Sequence, residues 1–230
     1  MPVEDRFGPA ARLYCLWAVL AIGVSIARAG LTAESVTRLL VVGLLLLQLA
    51  AHPMLVRALP WCTPKWRFVL IGMLLAAVVE GFHMISMPVF GSLRIGQETG
   101  IAGGLRNYAL DLAFTLPAYL AIFSTIWFFV NRYRYGLWDY IVTAGFAQAI
   151  GDGGLFYFWN APGMLLFLPY PMSNYHAINV LPLLSVREYL PADTRRVASR
   201  YLIVPAVIAA YLACGAMIRL VGRRFGFEAG

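Results

Sequence analysis

Long apolar runs constrain this chain more than any other feature, because an α-helix needs about 20 apolar residues to cross a bilayer. Several runs approach that length without the strict alternation of a membrane β-barrel strand. The composition agrees, with 61% hydrophobic residues and a mean hydropathy of +0.74, above the roughly 45–50% apolar content of soluble domains. The sequence therefore predicts an all-α, polytopic transmembrane helical bundle, with residues 1–230 forming a single integral membrane domain.

We expect about six to seven spans. They fall at residues 13–27, 39–56, 68–87, 109–130, 137–159, 164–184 and 201–221. The sixth differs from the others because it carries three prolines and polar residues that include Ser173, Asn174, His176 and Asn179. Proline removes a backbone donor and bends a helix, so this segment is predicted to be a kinked span or a re-entrant stretch. The glycine-rich connection at residues 88–108 is a candidate lid or a flexible surface loop.

The positions of the charged residues are typical of a membrane protein. The net charge of +7 includes 18 Lys and Arg, which the predicted spans leave in tails, connections and span ends, where they anchor lipid headgroups. No basic cluster is interleaved with aromatic residues, so we expect no nucleic-acid partner. The predicted partners are membrane lipids and a lipophilic small-molecule substrate, and a homodimer is left open.

Neither the cysteines nor the histidines predict a metal centre. Cys15, Cys62 and Cys214 are too scattered for a disulfide framework or a metal-binding box. The three histidines do not form a ligand pair at helical spacing. We therefore expect no metal and no cofactor.

Three acids lie inside predicted spans, which is a costly place for a charge. Glu80, Asp111 and Asp152 have no Lys or Arg near the middle of any predicted span to pair with. A carboxyl group in such surroundings tends to stay neutral, and a neutral carboxylic acid can act as a general acid. Ionisable groups at membrane depth indicate function, although a neutral acid that bonds helices together is the structural alternative. We predict that the three acids are catalytic and share one interior cavity.

Helical spacing adds polar and aromatic neighbours to these acids. His83 follows Glu80 by three residues, Gln148 precedes Asp152 by four, and Tyr157 and Trp159 follow it. Aromatic faces stabilise cations by roughly 0.5–2 kcal/mol each. A proton donor, a proton acceptor and aromatic walls suit a carbocation formed by protonating a carbon–carbon double bond in a lipid. We expect these neighbours, with Asn174, His176 and Asn179, to bind the substrate.

Four segments follow one another in the order of motifs in a known membrane family. WRFVLIGMLLAAVVEGFH ends in a Glu-Gly-aromatic motif, and DLAFTLPAYLAIFSTIWFFVNRYR opens with an acid upstream of a Pro and a Trp. QAIGDGGLFYFW carries a Gln, a Gly-Asp pair and aromatics, and SNYHAINVLPLL is an Asn-bearing stretch followed by Leu-Pro. This order resembles the emopamil-binding protein family of the EXPERA superfamily, whose type enzyme is a sterol ring double-bond isomerase. The resemblance covers residues 64–184.

The resemblance implies a five-helix core, preceded here by an extra span, and an isomerase site for a sterol or another isoprenoid lipid. It implies that Glu80 and Asp111 transfer protons to and from the lipid and that Asp152 has a structural or orienting role. The family's Asn corresponds to either Asn174 or Asn179.

The chain departs from the family at several points. Ala76 stands where the family isomerase has a His one turn before the first acid, the second acid is Asp rather than Glu, and the family's Trp after the Asn is absent. These departures widen the expected substrate class beyond sterols.

Several other functions remain open. The same residues serve a cyclase or a hydratase, and PVFGSLRIG with YPMSNYHAINV is similar to integral-membrane carotenoid hydratases. A non-catalytic lipid-binding or trafficking protein is the main alternative, since other superfamily members are described so. YALD and AIGD are similar to the paired motifs of intramembrane aspartyl proteases, but Ala149 breaks the second motif. The prolines near residue 169 favour a transporter. The expected location is the cell membrane in a bacterium or the endoplasmic reticulum in a eukaryote.

Overall fold

The structure, a computed structural model, describes residues 8–57, 62–190 and 198–227. These residues contain eight α-helices and no β-strand. The helices are α1 (Pro9–Ala29), α2 (Ala33–Arg57), α3 (Pro64–His83), α4 (Ile101–Val130), α5 (Leu137–Ala149), α6 (Leu155–Asn160), α7 (Pro169–Val186) and α8 (Ile203–Arg224). The prediction of an all-α fold is confirmed.

Five helices in the described part of the chain are long and apolar enough to cross a membrane. They are Pro9–Ala29, Ala33–Ala51, Pro64–His83, Ile101–Val130 and Ala198–Arg224. This is consistent with a multi-pass membrane protein. The predicted fifth and sixth spans are not among them, because α5 has only 13 residues before its axis breaks and α7 is rich in polar residues.

Local sequence sets where the first helices begin and end. Pro9 and Pro64 occupy the first turns of α1 and α3, where the missing N–H has no intrahelical acceptor to lose. Gly30 ends α1 with a φ of 72°, a conformation that favours glycine. The Thr32 hydroxyl oxygen accepts the Ser35 N–H at 3.2 Å and caps α2. As a result α2 begins at residue 33, before the span predicted from residue 39.

The α7 helix lies at the centre of the bundle, in contact with α1, α2, α3 and α5. Fourteen of its 18 residues are buried. Pro169 and Pro171 lie in its first turn, where the backbone N–H groups lack intrahelical acceptors in any helix, and Pro182 lies further inside. The segment predicted to be kinked or re-entrant is therefore one helix, preceded by the 3₁₀ helix Pro162–Phe167.

The predicted continuous span at residues 137–159 is wrong in its middle. A π-helical turn at Ile150–Gly154 separates α5 from α6. Asp152 has a ψ of 47° and Gly153 has a φ of 92°, which favours glycine because it has no Cβ to clash. Gly151 fits closely against α8, since an added Cβ would lie 2.8 Å from Tyr211 Cβ. The break interrupts the helical register between α5 and the side chains of α6.

The glycine-rich segment is shorter and better anchored than the sequence suggests. Because α4 begins at residue 101, the connection covers residues 84–100, with a 3₁₀ helix at Gly91–Leu93. Phe90 is 1% exposed, and its ring centroid lies 5.0 Å from those of Phe114 and Phe227. The Ile95 N–H donates to the Met84 carbonyl at 2.8 Å. This segment packs against the end of the bundle.

Candidate functional site

A cavity of about 890 Å³ opens at one end of the bundle. Its walls come from the C-terminal ends of α1 and α3, the start of α2, the first half of α7 and the break after α5, with one side chain from α4. Ligand pockets commonly measure about 300–1,000 Å³, so this cavity is large enough for a lipid-sized molecule. Five residues that the sequence predicted for the site line it: Glu80, His83, Asp152, Tyr157 and Asn174.

Glu80 lies on the wall between α3 and α4. The Tyr119 hydroxyl of α4 donates to Glu80 Oε1 at 2.5 Å. About two turns earlier in α3 the two helices approach closely, since a Cβ added at Gly72 would lie 2.5 Å from the Phe123 ring. Since α3 ends at residue 83, Glu80 is in its last turn, whereas the predicted span at 68–87 placed it about two turns from the end. The carboxyl group is half-buried and held in a fixed orientation at the cavity.

Asp152 reaches the same cavity from the break between α5 and α6. Its side chain is exposed to this space, and Oδ2 accepts the Tyr175 hydroxyl of α7 at 2.5 Å. Tyr175 also lines the cavity and is itself buried. The site therefore holds two carboxyl groups from different elements, each bonded to a tyrosine from a third or fourth element.

Asp111 is placed differently from the other two acids. It is fully buried and does not line the cavity, so the prediction of one cavity shared by three acids does not hold for it. Its Oδ1 accepts the Val89 N–H at 2.8 Å, while Oδ2 has no hydrogen-bond partner among the described residues. Asp111 joins α4 to the segment at residues 84–100.

Gln148 and Asn179 also lie away from the cavity lining, in the contact between α5 and α7. Both are fully buried. Asn179 Nδ2 donates to Gln148 Oε1, Tyr140 Oη donates to Asn179 Oδ1 at 3.0 Å, and Gln148 Nε2 donates to Tyr211 Oη at 3.3 Å. These bonds connect α5, α7 and α8. Both amides were predicted to bind substrate, and the structure gives them partners inside the protein.

His176 is held between α1 and α5 rather than in the cavity lining. Its Nε2 lies 2.5 Å from the Tyr14 hydroxyl of α1. On its other side it meets Gly145, where an added Cβ would lie 2.5 Å from the imidazole Cε1. Its predicted role in substrate binding has no support from this position.

Arg38 is the main site residue that the sequence did not reveal. It lines the cavity rim and is only 4% exposed. Its Nη1 donates to Asn174 Oδ1 at 2.6 Å and to Ser173 Oγ at 2.9 Å, and its guanidinium carbon lies 4.1 Å from the centre of the Tyr170 ring. His83 is close to both Arg38 and Asn174. The rim thus combines a fixed cation with an amide and an imidazole.

Two cations, Arg38 and Arg67, lie in the first two turns of α2 and α3, near the span ends, but are buried there. Both belong to membrane-length helices and both are 4% exposed. Arg67 Nη1 donates to the Ser185 carbonyl at 3.3 Å, and its guanidinium lies 4.9 Å from the Tyr189 ring centre. Since Arg67 bonds to the end of α7, it has a packing role. Arg38 is different because it faces the cavity.

The aromatic residues separate into two groups. Tyr157 lines the cavity although 52% of it is exposed, whereas Trp159 is 85% exposed and does not line the cavity. The prediction that Trp159 binds substrate fails because the break at residues 150–154 redirects it. Phe158, Phe167 and Tyr170 supply further aromatic lining.

The described residues form an all-helical protein that is consistent with a multi-pass membrane protein. Its cavity is lined by three acids, Glu34, Glu80 and Asp152, and by two arginines, Arg28 and Arg38. No family model matches the chain, and no curated protein or solved structure matches it either. The cavity can hold a lipid-sized molecule beside carboxyl groups, which can donate or accept protons, and aromatic side chains.

Proposed function

We propose that the protein is a membrane-embedded isomerase or cyclase that acts on a sterol or another isoprenoid lipid. The observation that carries the proposal is the pair of tyrosine-bonded carboxyl groups, Glu80 with Tyr119 and Asp152 with Tyr175, on the wall of one cavity. We further propose seven membrane crossings, with α5 and α6 together forming one and α7 another. The location is a cellular membrane.

The reaction begins when Glu80, as the neutral acid, gives its proton to one carbon of the double bond. The Glu80 carboxylate that remains is stabilised by the hydroxyl of Tyr119. The other alkene carbon becomes a cation, and the faces of Tyr157, Phe158 and Phe167 stabilise it. A proton donor placed in this way contributes about 10²–10⁴-fold to the rate.

The reaction ends when a base takes a proton from a carbon next to the cation and the double bond forms at its new position. Asp152 is the base in this proposal, because it lines the cavity and Asp111 does not. The proton balance closes when Asp152 passes the proton back to Glu80 through water. If a second double bond attacks the cation before proton loss, the product is a ring, and if water attacks it, the product is an alcohol.

The resemblance to the emopamil-binding protein family supports this proposal in part. The first acid of the family pattern, Glu80, lies on the cavity, and one of the two candidate asparagines, Asn174, lines its rim. The second acid of the pattern, Asp111, holds a loop segment instead. We therefore assign proton removal to Asp152 and assign Asp111 a positioning role.

A second candidate function is non-catalytic lipid binding or transfer. The position of Asp111 outside the cavity favours it, because the family's pair of proton-transferring acids is then incomplete. In this alternative the cavity holds a lipid, and Glu80 and Asp152 bond to its polar groups without transferring a proton to carbon.

Product analysis separates the two functions. Membranes that contain the protein are incubated with candidate sterols and isoprenoids, and the extracted lipids are analysed by mass spectrometry. We expect a rearranged lipid with the unchanged protein and with Glu98→Gln, an exposed acid that does not line the cavity. Glu80→Gln keeps the size of the side chain but removes its titratable proton, so turnover falls at least about 100-fold. Lipids that are bound but recovered unchanged would favour the binding protein.

A further inference from the structure

The rim of the cavity carries more positive than negative charge. Arg28, in the last turn of α1, and Arg38, near the start of α2, both line it, together with the single acid Glu34. Glu34 precedes Arg38 by one turn and offsets part of its charge. The other two acids of the lining, Glu80 and Asp152, are bonded to tyrosines. At the rim itself, two arginines therefore face one acid.

The Arg38 side chain is held in place by its neighbours, which is what a preorganised binding group requires. Its Nη1 is fixed by Asn174 and Ser173, and the Tyr170 ring lies against the guanidinium. The Nε atom is buried and has no hydrogen-bond partner among the described residues. A guanidinium group in a membrane-length helix is costly, and the two groups that bond to Nη1 are both neutral. An anion bound at the rim would supply the negative charge that the neutral side chains of Ser173 and Asn174 lack.

Glu80 lies about one helical turn further along the cavity than His83, which is close to Arg38. Asp152 bonds to Tyr175, the residue that follows Asn174 on α7. Along α3, Glu80 precedes His83 by three residues, which corresponds to about 4.5 Å at 1.5 Å per residue. Along α7, the lining residues run from Tyr170 and Asn174 at the level of Arg38 to Tyr175 and Ile178. A ligand whose polar end meets Arg38 therefore places its first few carbon atoms beside Glu80 and Asp152.

We propose that the rim formed by Arg28, Arg38 and Asn174 binds the anionic headgroup, a phosphate or a carboxylate, of an isoprenoid lipid. The hydrocarbon chain enters the cavity, and the double bond nearest the headgroup lies at the two carboxyl groups. The position of that double bond rests on the proposed function, whereas the headgroup contact does not. A planar guanidinium group forms charge-assisted hydrogen bonds to phosphate and carboxylate oxygens. Its hydrogen bond to a neutral hydroxyl group is weaker.

The test compares farnesyl phosphate with farnesol, which has the same chain without the charge, and with inorganic phosphate. Binding to the full chain in detergent is measured by calorimetry. We expect farnesyl phosphate to bind roughly tenfold or more tightly than farnesol, since hydrogen bonds to charged groups have effects of that order. Arg38→Gln and Arg28→Gln should each reduce this ratio severalfold. Arg94→Gln should preserve it, because Arg94 is exposed and does not line the cavity.

Three results would overturn the headgroup site. The first is equal affinity for farnesyl phosphate and farnesol. The second is an equal loss of the preference in Arg94→Gln. The third is displacement of farnesyl phosphate by inorganic phosphate at matching concentrations, which would indicate a site for free anions. If Arg38→Gln fails to fold, Arg28→Gln is the deciding variant, because Arg28 is exposed and its replacement should not disturb the fold. An unchanged ratio of the affinities for farnesyl phosphate and farnesol in Arg28→Gln would contradict the proposal. Glu80→Gln should keep the ratio. A wild-type protein that keeps the ratio but converts no lipid would refute the isomerase and leave the headgroup site in place.

Discussion

The α1 and α7 helices carry opposite kinds of surface in the same bundle. α1 is apolar on nearly every side, yet only Ala11 and Ala21 among its residues are buried. α7 carries a histidine, two asparagines and three prolines, and most of its residues are buried. An apolar helix such as α1 can therefore lie at the outside of the bundle, a position that suits contact with lipid. The polar helix lies inside, where other helices supply its hydrogen bonds.

The polar groups of α7 are matched by partners from four other helices. Arg38 and Gln48 come from α2, and Gln48 Nε2 donates to the Ala177 carbonyl at 2.8 Å. Tyr14 of α1, Tyr140 of α5 and Arg67 of α3 contact other parts of the same helix. α7 is therefore both the centre of packing and one wall of the cavity.

The largest effect on stability is expected at Asn179, because its side chain bonds to Tyr140 and Gln148. In Asn179→Leu these buried groups lose a partner, and we expect the free energy of unfolding to fall by about 2–3 kcal/mol. Ser25→Ala in α1 is the control, since the Ser25 hydroxyl donates to the Ala21 carbonyl of its own helix and does not join α1 to another described helix. Unfolding in detergent, followed by circular dichroism, measures both. Equal losses would contradict the difference between the two helices.

Two glycine substitutions test the difference in packing between α7 and α1. Gly145 of α5 faces His176 of α7, where a Cβ would lie 2.5 Å from the ring, so Gly145→Ala should destabilise the protein by about 1–2 kcal/mol through overpacking. Gly23 of α1 has nothing within 4 Å of an added Cβ, and Gly23→Ala should leave stability equal or slightly higher. Thermal unfolding of the two variants checks this. A Gly145→Ala protein as stable as Gly23→Ala would mean that α5 and α7 pack loosely.

Removing a tyrosine hydroxyl from each helix tests the link between α7 and the chemistry. Tyr175→Phe removes the bond to Asp152, and we expect a loss in kcat of about tenfold, corresponding to about 1.4 kcal/mol. Tyr14→Phe removes the contact with His176, which lies away from the cavity lining, so kcat should change by less than about twofold. Lipid turnover measured at saturating substrate gives both values. A larger loss in Tyr14→Phe would show that the site is not at Asp152.

The sequence predicted the parts of the fold that depend on apolar length. The spans in α1, α3 and α8 lie close to the observed helices, because a lipid-facing helix must be apolar over most of its length. The break at residues 150–154 was missed, although the Gly-Asp-Gly-Gly stretch contains its signal. Trp159 was consequently assigned to the wrong face.

The sequence found some of the cavity residues but could not place Arg38 or Asp111. Arg38 was taken to lie outside a span because α2 was started too late, and the Thr32 cap was the signal that could have corrected it. Asp111 shares its helix with Tyr119, and only tertiary packing decides which of the two reaches the cavity. The hydrogen bonds of Tyr119 and Tyr175 join residues far apart in the chain, so no local pattern could predict them.

The most direct test of the central claim is the isotope content of the lipid product formed in deuterated water. If Glu80 protonates a double bond, the product of the unchanged protein carries deuterium on the carbon that received the proton, because the Glu80 proton exchanges with solvent before each turnover. Glu80→Gln should yield neither product nor label, and Glu98→Gln should match the unchanged protein. Rearranged lipid without carbon-bound deuterium, or with the same label in Glu80→Gln, would contradict the account.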